Sequence, residues 1–475
     1  MDLAITNALV VTMAADRPGL GILTDGTVAI SGTEIDYVGP ATEFDSSEAT
    51  QILDGTGRLV IPGLVNAHTH TALTLVRGGA QDVPESEWMN RALAPLSRAL
   101  EPDDRVAGSR LGVLEALRRG VTTFGEYDTQ VGTLVERVYE PLGVRVVATE
   151  TINEIASDRD SLGPRELPEF DRDRGEAALD RTERLFDRYA DHGRVDVMYG
   201  PQALDMVSAE TLELVSQRAS ERNRDVHVHV AQGERERRQI DERYGDSSVA
   251  VLEDLGLADE RLLAAHLHGA RPDERVRLAE AGVRMVGCPG SIGTIDGRVP
   301  PVAEYHEHGG SVGVGTDQAP GNGRHDVLRE LHLLTVLTKC ERTDPRALTA
   351  SRALWLGTMG GARALGLSDR IGSLETGKRA DLAVVDRSTE TMLPAVESPL
   401  QTAIPNLVYA AGGDAVETVI VGGEVVVRDG AVQTVDTAEI RRRAAARGEA
   451  VFERAAEAWR ATGHALCDDV DAGWL

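Results

Sequence analysis

Lysine is nearly missing from this chain of 475 residues, Lys339 and Lys378 being the only two. Lys and Arg together number 50 against 77 Asp and Glu, a formal net charge of −27. A surface of that sign repels phosphate backbones and anionic headgroups, so neither nucleic acid nor a membrane surface is expected as a partner. Cysteine is scarce as well. Cys288, Cys340 and Cys467 are too few and too scattered for a disulfide framework or a Cys-x-x-Cys zinc site. No apolar run approaches the roughly 20 residues that a membrane helix needs. The opening residues, Met1-Asp2-Leu3-Ala4-Ile5-Thr6-Asn7, lack the positive charge that precedes a secretory apolar stretch, so the expected location is the cytoplasm.

Hydrophobic residues make up 41% of the chain, enough for a substantial core. The length suits one large domain with a smaller companion. Acidic excess with almost no lysine resembles the surfaces of proteins from salt-loving archaea, where molar salt screens self-repulsion. Both ends carry short apolar strands separated by turns, such as Thr27-Val28-Ala29-Ile30 and Thr418-Val419-Ile420-Val421-Gly422-Gly423. Residues 1–60 and 371–435 therefore read as one small β-sandwich assembled from both termini. Between them, residues 61–370 alternate strands with charged amphipathic helices. Strands are expected near 61–68, 121–124, 144–148, 195–199, 226–230, 262–266, 283–287 and 312–316. Eight such units predict an α/β fold, a (β/α)8 barrel of the TIM type. Residues 436–475 read as a helical, acidic tail with no visible chemistry.

One motif stands out: Pro62-Gly63-Leu64-Val65-Asn66-Ala67-His68-Thr69-His70. In a strand, residues i and i+2 share a face, so His68 and His70 present two imidazoles together, half of a metal site. Alone, such a pair is equally a surface turn. In a barrel, however, chemistry sits at the C-terminal strand ends. There this chain also offers His229 on the fifth strand, His266 on the sixth and Asp317 on the eighth.

With these come Gly120 to Phe124 (GVTTF), Ala265-His266, Gly315-Thr316-Asp317 and Gly372 to Asp381 (GSLETGKRAD). Together the motifs resemble the amidohydrolase superfamily, in particular its aminohydrolases and chlorohydrolases of nitrogen heterocycles. These include S-adenosylhomocysteine and methylthioadenosine deaminases and the triazine hydrolases. The resemblance implies that His68, His70, His229 and Asp317 bind one divalent metal, zinc or iron. It places His266 beside the attacking water and the substrate, with Asp317 accepting that water's proton. A second branch of the family holds two metals bridged by a carboxylated lysine on the fourth strand. Here that strand reads Val197-Met198-Tyr199-Gly200-Pro201-Gln202, without lysine, so one metal is expected.

Two positions depart from the pattern. Relatives carry Glu three residues after the strand-five histidine, where this chain has Gln232, whose amide holds a substrate but carries no proton at neutral pH. Gln202 follows Pro201 where deaminase relatives show histidine. Further candidates for substrate contact are Trp88, with Met89, over a flat ring; His268; and Gln318, Asn322 and His325 after the eighth strand. Glu126 is a candidate carboxylate beside the site, and His227 reads as a satisfied residue one layer deeper. The expected partner is a small heterocycle and the expected assembly a homo-oligomer. Expected chemistry is hydrolytic removal of an amino or similar group from the ring. The alternatives are opening of a cyclic amide, which Gln232 leaves open, and an idle metal-binding homologue.

The charge pattern makes its own forecast. Native circular dichroism is expected in molar KCl and lost in dilute buffer; full stability in dilute buffer would remove the high-salt reading.

Overall fold

Two sheets organise the chain, and the boundary between them falls inside one apolar run. The computed structural model describes residues 1–156 and 167–474. From the N-terminus come β1 (Leu3–Val11), β2 (Ile22–Ser31), β3 (Glu34–Pro40), β4 (Gln51–Asp54) and β5 (Arg58–Pro62). The chain then enters β6 (Leu64–Thr69), β7 (Val121–Asp128), β8 (Arg145–Ile152) and β9 (Val195–Pro201). The series continues with β10 (Val226–Val230), β11 (Leu262–His266), β12 (Arg284–Gly287) and β13 (Val312–Val314). Near the C-terminus lie β14 (Leu382–Asp386), β15 (Val416–Val421), β16 (Glu424–Arg428) and β17 (Ala431–Val432).

Strands β6 to β13 pair in parallel, each with its sequence neighbours, as a (β/α)8 barrel requires. They are buried along most of their length, polar residues such as Thr123 and His227 included, because both faces of a parallel barrel strand are covered. The remaining nine strands form a mixed sheet in the order β17-β16-β15-β14-β5-β1-β2-β3, with β4 beside β1. Antiparallel pairing of β14 with β5, from Leu382 opposite Pro62 to Asp386 opposite Arg58, joins the two ends of the chain.

One strand expected at 61–68 is in fact two. Ile61 and Pro62 finish β5 in the mixed sheet, Gly63 makes the break, and the barrel begins at Leu64. A Cβ on Gly63 would lie 2.1 Å from Thr122 Oγ1, so only glycine lets the chain cross from one sheet to the other there. Apolar composition carries through the break and gives no sign of it. The helices start where their caps direct. Ser208 accepts from Thr211 N at 3.4 Å ahead of helix Ala209–Arg222, and Pro102 occupies the first turn of Pro102–Leu117. Helix Thr437–Ala461 and the shorter Ala465–Asp471 end the chain. Among the described residues no helix is long and apolar enough to cross a membrane.

The barrel and the mixed sheet are joined by a buried ion pair. Arg145, at the start of β8, donates from Nε to Asp381 Oδ2 at 2.9 Å, and the two side chains are 1% and 2% exposed. Asp381 Oδ1 also accepts from Gly422 N at 2.7 Å. Removing one member of such a pair leaves an uncompensated buried charge. Arg145→Ala is therefore expected to lower unfolding stability by about 3–5 kcal/mol, read as a shifted denaturation midpoint. An unchanged midpoint would deny the pair its role in joining the sheets.

Candidate metal centre and active site

Closure of the barrel assembles the centre. Strand β13 stops at Val314, and the chain runs on so that Asp317 N donates to His68 O at 3.0 Å and His70 N donates to Asp317 O at 3.2 Å. Gly315 makes this approach possible, since a Cβ there would meet His68 O at 2.6 Å. First and last barrel strands thus bring His68, His70 and Asp317 together. Four residues at strand ends adopt left-handed backbone without being glycine: His266 (φ +82°), Leu267 (φ +54°), Asp317 (φ +54°) and Ala231 (φ +49°). Such strain persists only where surrounding structure enforces it, and it gathers at functional sites.

His68, His70 and His229 each spend one ring nitrogen on the protein and keep the other for the centre. His70 Nδ1 donates to Tyr127 O at 2.6 Å, and His229 Nδ1 donates to Gln202 O at 2.6 Å. Their Nε2 atoms then face each other at 3.3 Å. His68 Nδ1 lies 3.0 Å from His227 Nε2, which leaves the buried His68 Nε2 with no hydrogen-bond partner. Asp317 Oδ1 lies 3.7 Å from His68 Nε2 and 3.5 Å from His70 Nε2. Its Oδ2 accepts from Ser291 Oγ at 2.5 Å. His266 stacks beside His229 with ring centroids 5.4 Å apart, and its buried Nδ1 has no partner either.

Burial sets the charge state of this cluster. Desolvation, and then the neighbouring imidazoles, hold His68 and His266 well below the usual histidine range and push His229 down to about 3. All three are neutral near pH 7, the form in which imidazole binds a metal. Two overlapping sets, His68 with His70 and His229, and His68 with His266 and Asp317, have ligand atoms within 4.8 Å of one another. Converging imidazole nitrogens, among them the orphaned buried Nε2 of His68, together with the Asp317 carboxylate are a donor set that fits a divalent ion.

Part of the cluster forms the floor of a cavity of about 530 Å³, with His68 fully buried. Trp88, Gln202, Gln232 and Gln318 line it, as do the barrel residues His70, His229, His266 and Asp317. Gln202 accepts at Oε1 from Asn153 Nδ2 at 2.5 Å, and Gln318 donates to Ser291 Oγ at 3.3 Å. Three other candidates do not line it. His325 gives its ring nitrogens to Thr74 Oγ1 at 2.9 Å and Thr316 Oγ1 at 3.0 Å, bracing the base of the eighth-strand loop. Asn322 Nδ2 donates to the carbonyls of Thr316 and Arg324, both at 2.8 Å. His268 is buried with Nε2 3.4 Å from Asp296 Oδ1.

Glu126 also lies off the cavity. It accepts from Thr71 N at 3.0 Å, Thr71 Oγ1 at 2.7 Å and the Tyr139 hydroxyl, so it holds the turn that follows His70. Burial and the nearby Asp128 push its carboxyl up to about 8. His227 is more than a satisfied core residue, because it fixes which nitrogen of His68 is left for the centre. Sequence reasoning missed Ser291 and the Tyr127 carbonyl. Ser291 was within reach of the strand-end rule, standing four residues after β12; a backbone carbonyl carries no sequence signal.

The family model for the amidohydrolase family matches residues 59–426. The chain is 34% identical over 420 residues to a 5-methylthioadenosine/S-adenosylhomocysteine deaminase of Moorella thermoacetica, covering 88% of this chain and 94% of that protein. It is 32% identical over 441 residues to a 5'-deoxyadenosine deaminase of Methanosarcina mazei, covering 92% and 96%. Among solved structures, an adenosine deaminase from Xanthomonas campestris with bound zinc superposes with a TM-score of 0.86 at 29% identity, covering 95% and 99%.

Ser291 offers a direct check on the geometry. Ser291→Ala frees Asp317 Oδ2 and is expected to lower metal affinity or turnover by roughly 10- to 100-fold, the usual effect of losing a group that orients a ligand. Full activity with full metal content would show that Asp317 needs no such support.

Proposed function

The chain belongs to the amidohydrolase family, and on that premise we propose that it deaminates an adenine-type nucleoside at a centre holding one zinc ion. Membership makes it a hydrolase of carbon–nitrogen or carbon–chlorine bonds other than peptide bonds, acting on a nitrogen heterocycle. The observation that carries the reading is the convergence of the His68, His70 and His229 Nε2 atoms with Asp317, of which His70, His229 and Asp317 line the cavity and His68 is buried. Relatives that act on adenosine-type compounds support the substrate class. A cavity of about 530 Å³ has room for more than a bare ring and falls in the usual range for small-molecule sites.

In this reading His68, His70, His229 and Asp317 hold the ion. Bound there, a divalent ion lowers the pKa of water enough to make hydroxide available near neutral pH. Lysine takes no part. Lys378 Nζ donates to Ser368 O and Ser373 Oγ, both at 2.6 Å, and Lys339 Nζ to the Tyr409 hydroxyl at 2.7 Å, so neither bridges a second ion.

Asp317 takes the proton from the attacking water while Ser291 holds its Oδ2 in place. The His266 imidazole hydrogen-bonds the oxygen as charge develops on it. A carbon–oxygen bond forms, the carbon–nitrogen bond breaks, and the proton held on Asp317 passes to the departing amine, so that water is consumed and ammonia released. Gln232 lines the cavity and orients the ring through its amide. With no ionisable group at that position, Asp317 carries every proton transfer.

The test is a screen of purine nucleosides, pterins, pyrimidines and triazines for released ammonia, with metal analysis. About one equivalent of zinc per chain is expected, together with ammonia release from adenine nucleosides that His68→Ala and Asp317→Asn abolish. Ring opening without ammonia would replace deamination, and two tightly held equivalents would overturn the single-ion assignment. Gln232→Glu adds a carboxylate beside the ring and is expected to change the pH profile; an unchanged profile removes Gln232 from the proton argument.

A further inference from the structure

Helices Thr437–Ala461 and Ala465–Asp471 contribute no residue to the cavity, yet they are fastened to the segment that forms one of its walls. That segment, residues 77–100, follows the His68–His70 strand. Its inner side gives the cavity Trp88, Met89, Leu93 and Leu100. Its outer side, with Ala80, Ala92 and Leu96, is buried in one apolar cluster with Val451, Ala455 and Leu466 of the terminal helices. Polar contacts pin it at three places. Trp459 Nε1 donates to Gly79 O at 3.1 Å near the start. In the middle, Arg91 Nε donates to Thr462 O at 3.1 Å and Thr462 Oγ1 to Arg91 O at 3.0 Å. Near the end, Arg454 Nη2 donates to Ala99 O at 2.9 Å.

Just beyond, the fully buried carboxylate of Asp104 accepts from Arg447 Nη1 at 2.7 Å and from Arg454. The wall itself is weakly built. It consists of one turn at Glu85–Glu87, a π-helical stretch at Trp88–Leu93 and a short helix at Ala94–Arg98. A π-helical stretch is an irregular element that neighbouring structure must hold in place. Here the terminal helices are among those neighbours, together with Val76, Ala107 and Ile295 in the same apolar cluster.

We propose that the C-terminal helices act as a clamp that positions the Trp88–Leu93 wall and thereby sets affinity for the part of the substrate beyond the reacting ring. Trp459 and Arg454 are its positioning residues. This rests on the reading of the cavity as the substrate site. None of the clamp's contacts reaches His68, His70, His229, His266 or Asp317, so loosening it changes binding and leaves the chemical step alone. Lost binding common to ground state and transition state raises KM and spares kcat.

The experiment compares Trp459→Ala and Arg454→Ala with the intact chain by steady-state kinetics, metal content and hydrogen exchange of residues 77–100. Expected are faster exchange in that segment, a KM higher by about tenfold, and kcat and metal content within about twofold of wild type. Trp459→Phe, which keeps the ring packed, is expected to recover most of the KM. Unchanged exchange overturns the clamp. So does faster exchange with an unchanged KM, which would mean a merely structural tail. If an alanine variant fails to fold, Thr462→Val, which removes the Thr462 Oγ1 bond to Arg91 O, and Arg454→Lys carry the same readouts. A wild-type chain that turns over no ring compound sinks the functional reading instead, and exchange of residues 77–100 then decides the clamp by itself.

Discussion

Barrel closure between the first and eighth strands is the constraint on which this structure depends. Two backbone hydrogen bonds, Asp317 N to His68 O and His70 N to Asp317 O, bring the ends of a segment of about 250 residues into register. The same bonds place a carboxylate oxygen within 4 Å of two imidazole nitrogens. Gly315 is small because this approach must be close. Left-handed backbone at Asp317 and His266 is the local strain that goes with turning those side chains inward. Fold and site are therefore one event, since closing the barrel makes the ligand set.

Desolvation then gives the cluster its character. Histidines crowded in bulk water would titrate near their ordinary range. Here burial keeps His68, His229 and His266 neutral, and backbone carbonyls fix the tautomers of His70 and His229. His227 does the same for His68 from one layer below. Each first-rank nitrogen is thus aimed by a partner further out, an arrangement that holds ligands ready before any ion arrives.

Around this rigid floor the cavity walls are of a different kind. Trp88 and Met89 stand on an irregular segment supported from outside by the chain's last helices, and Gln232 stands on a loop after β10. The histidines and Asp317 thus stand at strand ends of the barrel, whereas the walls stand on segments packed against distant parts of the chain. This division is common in barrels, where loop variation changes substrate without disturbing the reacting centre.

Sequence by itself determined the eight strand-and-helix units, the mixed sheet's origin at both ends, and the histidines and aspartate at strand ends. Those features are local: a period of two in a strand, an apolar run, a motif of nine residues from Pro62 to His70. Tertiary structure alone decided the rest. It split the run around Gly63 between two sheets, turned His325 and Asn322 into braces and Glu126 into a support for the turn after His70. It also made Ser291 and His227 partners of the centre and tied the terminal helices to the wall of the cavity. The physical reason is separation along the chain. Thr462 and Arg91, or Asp381 and Arg145, meet across hundreds of residues. No periodicity or spacing encodes such a meeting until the barrel has closed.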